Sequence, residues 1–351
     1  MATTYQPGTR VSEYILDACI GRGAFSEVWR ARHHIWEREL VAAKLPIEPE
    51  YVRYLRREGV VVHGLRHANI VRVLGLDPYA EIPYLIMELV RGPSLREVLT
   101  EKTRGLPIAA VLTVLRGVLE GVAAAHEARI LHRDLKPGNV LLHLDGKPLD
   151  KLAVEDVKVT DFGLGIGNDE TLRSIVQSVS MDREGRLVGT LAYMAPELRD
   201  GRDPPEPRCD LYSIGVMLFE TLTGERPAGA ELPSTLRADV PEALDEIFRR
   251  LYAHRDRRYE SARAVLADLD VRLRPRRTAV PPPPPPVPAG PARRTTCPSC
   301  GAATESDDQF CTQCGSQIVA RIRRCPACGA FPGLQDRFCI FCGAGLVSPQ
   351  G

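Results

Sequence analysis

The sequence predicts an α+β protein that is followed by a small cysteine-rich tail. Segments with the pattern of β-strands, separated by turns, fill the first 90 residues, and one helical segment at about 49–65 interrupts them. From about residue 107 the apolar residues recur with helical spacing, and eight of the ten cysteines lie after residue 296. A strand-rich part followed by a helix-rich part is typical of the α+β class.

The individual elements follow in order along the chain. The predicted strands have the sequences YILDACIG, SEVWRAR, ELVAAKL and PYLIMELV. The two longest helical patterns are AAVLTVLRGVLEGVAAAHEA and CDLYSIGVMLFETLTG. The most apolar helical run, residues 108–125, contains Arg116 and Glu120, so we expect no segment that crosses a membrane.

A proline-rich stretch divides the chain into two parts. A length of 351 residues suggests about two domains. Residues 281–286 are six consecutive prolines, which cannot form helix or sheet and favour polyproline II. At ~3.1 Å per residue this run is a semi-rigid spacer of roughly 20 Å. We therefore predict one domain at 10–273, a linker at 274–294 and a second domain at 295–346.

The overall composition excludes several classes of protein. Lys and Arg number 46 against 45 Asp and Glu, so no global charge favours nucleic acid or a membrane as partner. The N-terminal sequence MATTYQPGTR has no apolar stretch of the kind that a secretory signal contains. We expect a cytoplasmic, reducing environment, in which clustered cysteines indicate metal binding rather than disulfides.

Two short motifs in the strand-rich part are ambiguous by themselves. The stretch IGRGAFSEV places Gly21 and Gly23 directly after a predicted strand, where they fit a hairpin turn as well as a phosphate-binding loop. In the following strand, the sequence VAAK ends in Lys44. The alternation of side chains does not decide whether Lys44 points to solvent or to the interior.

At residues 131–142, LHRDLKPGNVLL, several polar residues lie between apolar residues. Farther along, VTDFGLG places Asp161 directly after a β-branched strand and before a glycine. An acidic residue there is often a turn former, but Asp161 and Asn139 together supply the oxygen ligands that Mg²⁺ prefers. The sequences GTLAYMAPEL and CDLYSIGV follow in order.

This ordered set of motifs resembles the bacterial eukaryotic-like (Hanks-type) serine/threonine protein kinases over residues 10 to 273. The resemblance implies a two-lobed fold with ATP in the cleft and an ATP-dependent kinase that phosphorylates Ser and Thr of protein substrates. DLKPGN and Thr190 are of the serine/threonine rather than the tyrosine type. Phosphoryl transfer requires that the reacting groups are positioned and that charge is stabilised. This requirement explains why the charged residues at 131–142 lie between apolar residues that hold them in place.

The resemblance assigns catalytic roles to six residues. Asp134 would accept or orient the substrate hydroxyl, and Lys136 would lie near the γ-phosphate. Asn139 and Asp161 would hold Mg²⁺. Lys44 would bind the α- and β-phosphates and pair with Glu58 of the interlobe helix.

The resemblance also implies a nucleotide pocket. Met87 would be the gatekeeper, the backbone of Glu88 and Val90 would contact adenine, and Ser94 would reach the ribose. The remaining residues contact the phosphates or sandwich the adenine ring: Ile20, Gly21, Gly23, Lys44, Val28, Ala42 and Leu141.

Further expectations concern the supporting structure. Glu197 should pair with Arg258, although neighbouring Arg257 is an alternative, and Thr190 should hydrogen-bond Asp134. The regulatory spine of the family would comprise Val62, Val73, His132 and Phe162.

The sequence departs from the family pattern at three places. Ser26 replaces the third glycine of the phosphate loop, and extra residues between Asn139 and Asp161 would lengthen a surface hairpin. The activation segment, 161–197, is long, and Arg133 suggests activation by its phosphorylation. The candidate phosphosites are Thr171, Ser174, Ser178 and Ser180.

The tail contains an internal repeat. Residues 297–315 and 325–343 share the pattern C-x2-C, ten residues, C-x2-C at an offset of 28, and Phe310 and Phe338 match at the same offset. Four thiolates at this spacing can close a tetrahedral zinc site, with disulfides as the alternative. A glycine after each pair lets the backbone curl around the sulfurs.

The tail resembles a double zinc ribbon, which implies a small β-rich domain that two zinc ions stabilise. The proposed ligands form two sets of four, namely Cys297, Cys300, Cys311 and Cys314, and Cys325, Cys328, Cys339 and Cys342. Zinc ribbons also occur in nucleic-acid binders. Residues 293–351 contain six Arg, no Lys and four acids, and so weak a positive charge favours a protein partner or regulation of the kinase.

A pseudokinase scaffold that binds nucleotide without transferring phosphate is the competing hypothesis. The presence of all the expected catalytic residues argues against it.

Overall fold

The computed structural model of the protein comprises two units, Met1–Arg274 and Pro275–Gly351, which divide at the start of the proline-rich linker. The described residues are 5–23, 26–47, 51–52, 55–56, 63–102, 104–162, 190–200, 204–273, 295–305, 308–334 and 336–346.

The first unit begins with a six-stranded antiparallel sheet in the order β1-β2-β3-β4-β6-β5. Its strands are Arg10–Val11 (β1), Tyr14–Arg22 (β2), Ser26–His33 (β3), Leu40–Pro46 (β4), Val73–Asp77 (β5) and Tyr84–Glu88 (β6). The four predicted strands are all present. Two strands have no counterpart in the residue pattern: β1 has only two residues, and in β5 a register shift between Val73 and Gly75 interrupts the pattern.

The two faces of β4 pack into different parts of the interior. Val41, Ala43 and Leu45 belong to an apolar cluster on one side of the sheet. Ala42 belongs to the larger cluster that extends into the helical part. Because side chains alternate along a strand, Lys44 shares the face of Ala42. The tertiary structure thereby decides what the local alternation of residues left open.

The predicted helix at 49–65 is described at four residues only. Tyr51, Val52, Leu55 and Arg56 have helical backbone, and Tyr51 and Leu55 are buried. Glu58 and Val62, which carry two of the predictions, lie outside the described residues.

The helical part of the first unit surrounds one long central helix. Its helices are Leu95–Glu101 (α1), Ile108–Glu127 (α2), Pro196–Asp200 (α3), Pro207–Thr223 (α4), Pro233–Leu236 (α5), Glu242–Leu251 (α6) and Ala262–Arg272 (α7). Glycines in α2 permit close approach of its neighbours. A Cβ atom at Gly117 would lie 2.5 Å from Cβ of Val157, and one at Gly121 would lie 2.7 Å from the carbonyl oxygen of Asn69.

By length and composition α2 is apolar enough to cross a membrane, despite Arg116 and Glu120. In the structure this helix packs against α4 and α7, and eleven of its residues are buried. Such burial is expected of a core helix, which passes the same test of length and hydropathy.

A short hairpin lies beside α2. It consists of Val140–Leu142 (β7) and Val157–Val159 (β8), which pair antiparallel. The intervening residues, 143–156, form the expected long connection, but it is not wholly at the surface. Leu152 is buried, and Asn69 Nδ2 donates a hydrogen bond to the Val154 carbonyl oxygen.

The second unit has little regular structure in its described residues. Thr295–Thr296 (β9) and Ala303–Thr304 (β10) form a two-stranded sheet, and isolated bridges link Phe310 to Gln317 and Phe338 to Gly345. The tail is therefore less β-rich than expected, because tight turns around the cysteines take the place of extended strands.

Candidate functional site

Asp210 of α4 holds the loop at residues 131–136 through hydrogen bonds to its backbone. The Asp210 carboxylate is buried and accepts hydrogen bonds from the backbone N–H groups of His132, at 2.9 Å, and Arg133, at 2.8 Å. Nε2 of His126 lies 2.8 Å from the same carboxylate. Burial alone would raise the pKa of Asp210, but these partners lower it below the usual value, so the group stays ionised.

The side chain of His132 lies inside the protein and connects the loop to the end of β8. Its ring packs against Phe162 at a centroid distance of 4.6 Å, and Val73 belongs to the same apolar cluster as Phe162. Three members of the predicted spine are therefore in the interior, and Val62 lies outside the described residues. Burial lowers the pKa of His132, so its ring is neutral.

The two carboxylate oxygens of Asp134 differ in their hydrogen bonds. Lys136 Nζ lies 2.7 Å from Oδ2, and Asn139 Nδ2 lies 3.2 Å from the same atom. Oδ1 is buried and accepts no hydrogen bond within the part of the chain that the structure describes. Because a buried acceptor without a donor is costly, Oδ1 is a place where a ligand hydroxyl fits.

An ion pair joins the sheet to the segment after β8. Nζ of Lys44 lies 2.9 Å from Oδ1 of Asp161, and only 2% of the Lys44 side chain is exposed. Burial alone would raise the pKa of Asp161, but the Lys44 ammonium outweighs it and the pKa falls. Asp161 has a φ of +65°, a conformation that is uncommon outside glycine. Glu58, the expected second partner of Lys44, is not among the described residues.

The arrangement of Asn139 and Asp161 fits a divalent cation. The backbone N–H of Thr160 donates to the Asn139 carbonyl oxygen at 3.0 Å, which places both residues at the same end of the β7–β8 hairpin. Asn139 uses its Nδ2 to hold Asp134, so its amide oxygen has no partner among the described groups. Oδ2 of Asp161 is also without a hydrogen bond there. A carboxylate and an amide oxygen are suitable ligands for Mg²⁺.

A cavity of about 680 Å³ opens between the sheet and the helical part. Its volume is that of a typical site for a nucleotide-sized ligand. It is lined by all eleven residues that were expected to contact nucleotide: Ile20, Gly21, Gly23, Val28, Ala42, Lys44, Met87, Glu88, Val90, Ser94 and Leu141.

Ser94 has a structural role that its expected ribose contact does not explain. It is the N-cap of α1 and forms a capping box with Glu97, whose carboxylate lies 2.8 Å from the Ser94 hydroxyl. Glu97 also lines the cavity, so its carboxylate could accept a hydrogen bond from a ligand hydroxyl. The sequence signal was present, because Ser-x-x-Glu before an apolar helix is the capping-box pattern.

The expected pairing of Glu197 is confirmed. Arg258, rather than Arg257, binds the Glu197 carboxylate through two hydrogen bonds of 2.5 and 3.0 Å. The side chain of Thr190 and the four candidate phosphosites lie outside the described residues, so their roles stay predictions.

A second network of hydrogen bonds was not predicted from the sequence. Glu220 of α4 accepts a hydrogen bond of 2.8 Å from Arg96 of α1, and the Tyr193 hydroxyl lies 2.5 Å from the same carboxylate. These residues are far apart in the sequence, and no local pattern connects them. The network ties α1, at the mouth of the cavity, to the core helix α4.

The cysteines of the tail form two groups of four. Within each group the ligand atoms lie within 4.8 Å of one another. The measured Sγ–Sγ distances are 3.7 Å for Cys297–Cys314 and for Cys300–Cys311. In the second group they are 3.7 Å for Cys325–Cys342 and 3.6 Å for Cys328–Cys339.

These distances fit zinc rather than disulfides. A tetrahedron with Zn–S bonds of about 2.3 Å has edges of about 3.8 Å, close to the observed separations. A disulfide requires about 2.05 Å. Each glycine after a cysteine pair has φ between +72° and +76°, the left-handed conformation that lets the chain turn around the sulfurs.

Residues 14–275 match the protein kinase domain family. The chain belongs to the protein kinase family. Residues 297–343 of this kinase match a second family, the double zinc ribbon. The two matches correspond to the two units of the structure.

Several serine/threonine-protein kinases of bacteria are similar to this kinase. PknL of Mycobacterium bovis is 36% identical over 242 residues, which cover 66% of this chain and 56% of PknL. PkaA of Streptomyces coelicolor is 34% identical over 238 residues, which cover 62% of this chain and 40% of PkaA. PrkC of Bacillus subtilis is 30% identical over 283 residues, which cover 75% of this chain and 41% of PrkC. The kinase thus spans about half the length of these curated relatives.

The fold has a counterpart among solved structures. The crystal structure of the PknI kinase domain of Mycobacterium tuberculosis superposes with a TM-score of 0.58 at 22% identity, over 77% of this chain and 100% of that domain. The kinase fold expected from the sequence is confirmed.

Proposed function

We propose that this kinase transfers the γ-phosphate of ATP to serine and threonine hydroxyls of protein substrates. The observation that carries the proposal is the Asp134 carboxylate. Lys136 and Asn139 occupy Oδ2, and Oδ1 is buried without a hydrogen-bond donor from the described part of the chain. A substrate hydroxyl is a donor of the right kind and size for this atom.

The residues around Asp134 support in-line transfer to that hydroxyl. The hydroxyl oxygen bonds to the γ-phosphorus while the bond from this phosphorus to the bridging oxygen of ADP breaks. Asp134 orients the hydroxyl and accepts its proton, and the Lys136 ammonium, 2.7 Å from Asp134, offsets the negative charge that develops nearby.

Lys44 would bind the α- and β-phosphates, and its position on the cavity wall beside Asp161 supports this role. Asn139 and Asp161 are the residues that would hold magnesium. When bound, the ion neutralises charge on the phosphate oxygens.

The activation segment and the tail complete the proposal. Autophosphorylation within residues 161–197 would supply a phosphate for Arg133 to bind. The tail would hold two zinc ions and serve a protein partner or the regulation of the kinase. A cytoplasmic location is part of the same proposal, and the unlinked thiols of the tail support it. The absence of a nucleic-acid or membrane partner is also proposed, and the near balance of 46 basic and 45 acidic residues supports it.

Asp134→Asn tests the proposal. The substitution should abolish transfer of radiolabelled phosphate to a generic basic protein, by about 10²–10⁴-fold, while the fold and ATP binding stay nearly unchanged. Asp145→Asn is the matched control, because Asp145 is an exposed loop residue that lines no part of the cavity. Transfer by Asp134→Asn at a rate near that of the unaltered protein would contradict both the assignment and the proposed reaction.

A further inference from the structure

The turns that carry the second cysteine pair of each ribbon have matching backbones. In the first ribbon the Cys311 N–H donates to the Ser316 carbonyl oxygen at 2.8 Å. In the second ribbon the Cys339 N–H donates to the Ala344 carbonyl oxygen, also at 2.8 Å. The glycines of the two turns have φ of +72° and +76°. The two turns therefore differ in their side chains rather than in the course of the chain.

One of these side chains contacts a cysteine sulfur. The Ser316 hydroxyl oxygen lies 3.3 Å from Sγ of Cys314. A cysteine that binds zinc is a thiolate without a proton, so the Ser316 hydroxyl must be the donor of this hydrogen bond. At the matching place in the second ribbon stands Ala344, which has no hydroxyl. Cys342 therefore receives no such hydrogen bond.

The remaining exposed sulfurs do not distinguish the two ribbons. Cys300 and Cys328, in the first pair of each ribbon, are both exposed. Alanine occupies the second position after each of them, where Ser316 stands relative to Cys314. The difference in side-chain hydrogen bonding at this position therefore falls on Cys314 and Cys342 alone.

A hydrogen bond to a zinc-bound thiolate lowers its reactivity. The donor withdraws electron density from the sulfur lone pair that would attack an oxidant, as hydrogen bonds around metal ligands generally tune the ligand. Cys314 has this donor, so it is less nucleophilic than Cys342. Both residues are exposed, so access from solvent does not separate them.

We propose that Cys342 is the site at which a peroxide first oxidises the tail, and that Ser316 protects the first ribbon from the same reaction. The Cys342 thiolate attacks one oxygen of hydrogen peroxide, so that an S–O bond forms while the O–O bond breaks. The hydroxide that leaves takes up a proton and becomes water. The product at Cys342 is a sulfenic acid.

A buried thiolate completes the reaction. Sγ of Cys325, a buried residue, lies 3.7 Å from Sγ of Cys342. The Cys325 thiolate attacks the sulfenic sulfur, the S–S bond forms, and the S–O bond breaks to release a second hydroxide, which also becomes water. Two electrons pass from the two sulfurs to the peroxide. The second site loses two of its four zinc ligands in this way and releases its metal before the first site does. The inference rests on the proposed zinc binding of the tail but not on phosphoryl transfer.

The test uses the full chain, reduced and loaded with zinc, and a limiting amount of hydrogen peroxide. Elemental analysis of the starting sample shows whether two zinc ions are bound, so a failure of the proposed zinc binding is seen before peroxide is added. A chromophoric indicator follows the released zinc. After catalase stops the reaction, the chain is unfolded with a chelator, and mass spectrometry of the alkylated digest locates the thiols that remain. The initial rate of oxidation should be about fivefold higher at Cys342 than at Cys314, the effect of one hydrogen bond.

Reciprocal substitutions isolate the effect of the hydroxyl. Ser316→Ala removes the donor and should raise the initial rate at Cys314 to near that at Cys342. Ala344→Ser supplies a donor to Cys342 and should lower its rate about fivefold. Both variants leave the residues between the cysteines of each pair unchanged. Thr312→Ala removes an exposed hydroxyl from the first turn and is the matched control, which should leave the rates unchanged.

The zinc content of each variant shows whether its tail is folded. Ser316→Ala keeps the test decisive if Ala344→Ser loses zinc, since alanine already occupies this place in the second ribbon. Equal initial rates at Cys314 and Cys342 would overturn the inference. Rates that do not respond to Ser316→Ala, or zinc release that begins in the first ribbon, would overturn it as well. Kinase activity toward a generic protein, measured in the same samples, reports separately on the proposed reaction.

Discussion

The carboxylate of Asp210 accepts a hydrogen bond of 2.8 Å from the backbone N–H of Arg133, which has a φ of +66°. The left-handed conformation costs a residue with a side chain about 1–2 kcal/mol. Asp210 also accepts from the N–H of His132, so one buried carboxylate holds two consecutive residues in place. The loop that presents Asp134 therefore depends on a residue of the core helix α4.

Replacing Asp210 with Asn should lower both stability and activity. The Asn side chain has only one acceptor oxygen, because an NH2 donor replaces the second oxygen. A backbone N–H or the His126 ring therefore loses its partner, and we expect a loss of about 1–3 kcal/mol in the free energy of unfolding. Urea denaturation measures this loss, and radiolabel transfer measures the effect of the displaced loop. Asp239→Asn, at an exposed position, is the control.

The stability difference between the two proteins should depend on pH. Because the pKa of Asp210 is lower in the folded protein than its ordinary value of 3.8, its stabilising contribution is fully present above that value. The contribution is lost as the pH falls through the folded pKa. The denaturation midpoints of the unaltered protein and Asp210→Asn should therefore differ more at pH 7 than at acid pH. A difference that stays constant would show that ionisation of Asp210 does not stabilise the loop.

The two zinc sites should not load independently, because Gln309 links the ribbons. Gln309 is buried, its Nε2 donates to the Arg323 carbonyl oxygen at 3.0 Å, and its Oε1 accepts from the Arg323 N–H. Gln309 lies two residues before Cys311 of the first site, and Arg323 lies two residues before Cys325 of the second. Gln309→Ala should therefore weaken zinc binding at both sites, since metal binding and folding are coupled.

Competition with a chelator of known affinity measures the two binding steps. Gln317→Ala is the control, since Gln317 is exposed and its side-chain amide donates to the neighbouring Val319 carbonyl oxygen. If Gln309→Ala weakened one site and left the other unchanged, the ribbons would be independent.

Each chain should bind two zinc ions, all in the tail. The two units of the structure are separate, so a fragment that ends at residue 274 should remain folded and bind ATP with magnesium. Elemental analysis of the full chain and of this fragment should show two zinc ions and none. A value near one or zero in the freshly reduced full chain, or zinc retained by the fragment, would refute the assignment.

The purified kinase should phosphorylate itself between residues 171 and 180. This stretch contains the four candidate hydroxyl residues, and Arg133 lies beside Asp134, where it can bind a phosphate and order the segment. Mass spectrometry after incubation with ATP and magnesium locates the sites, and Asp134→Asn is the inactive control. Phosphate found only outside residues 161–197 would count against this mode of activation.

Features whose residues are neighbours in the chain could be predicted from the amino-acid sequence. The loop around Asp134 and the turn at Asp161 are short local motifs, so the resemblance to a known family could assign them expected roles. The spacing of the four cysteine pairs indicated metal binding. The strands of the sheet followed from their residue patterns, except where the shift at Gly75 disturbed β5. The expected nucleotide contacts line one cavity because they were assigned through an ordered set of such local motifs.

Contacts between distant segments became known only from the folded structure. Asp210 holds His132 from 78 positions away, and Glu220 holds Arg96 from 124 positions away. The face of Lys44 was undecided until the sheet packed against the helices, because alternation along a strand defines two faces but not which one meets the interior. Phe338 is 66% exposed, whereas its counterpart Phe310 packs against Phe331. The exposure of a side chain depends on what packs against it, and no local pattern of residues contains that information.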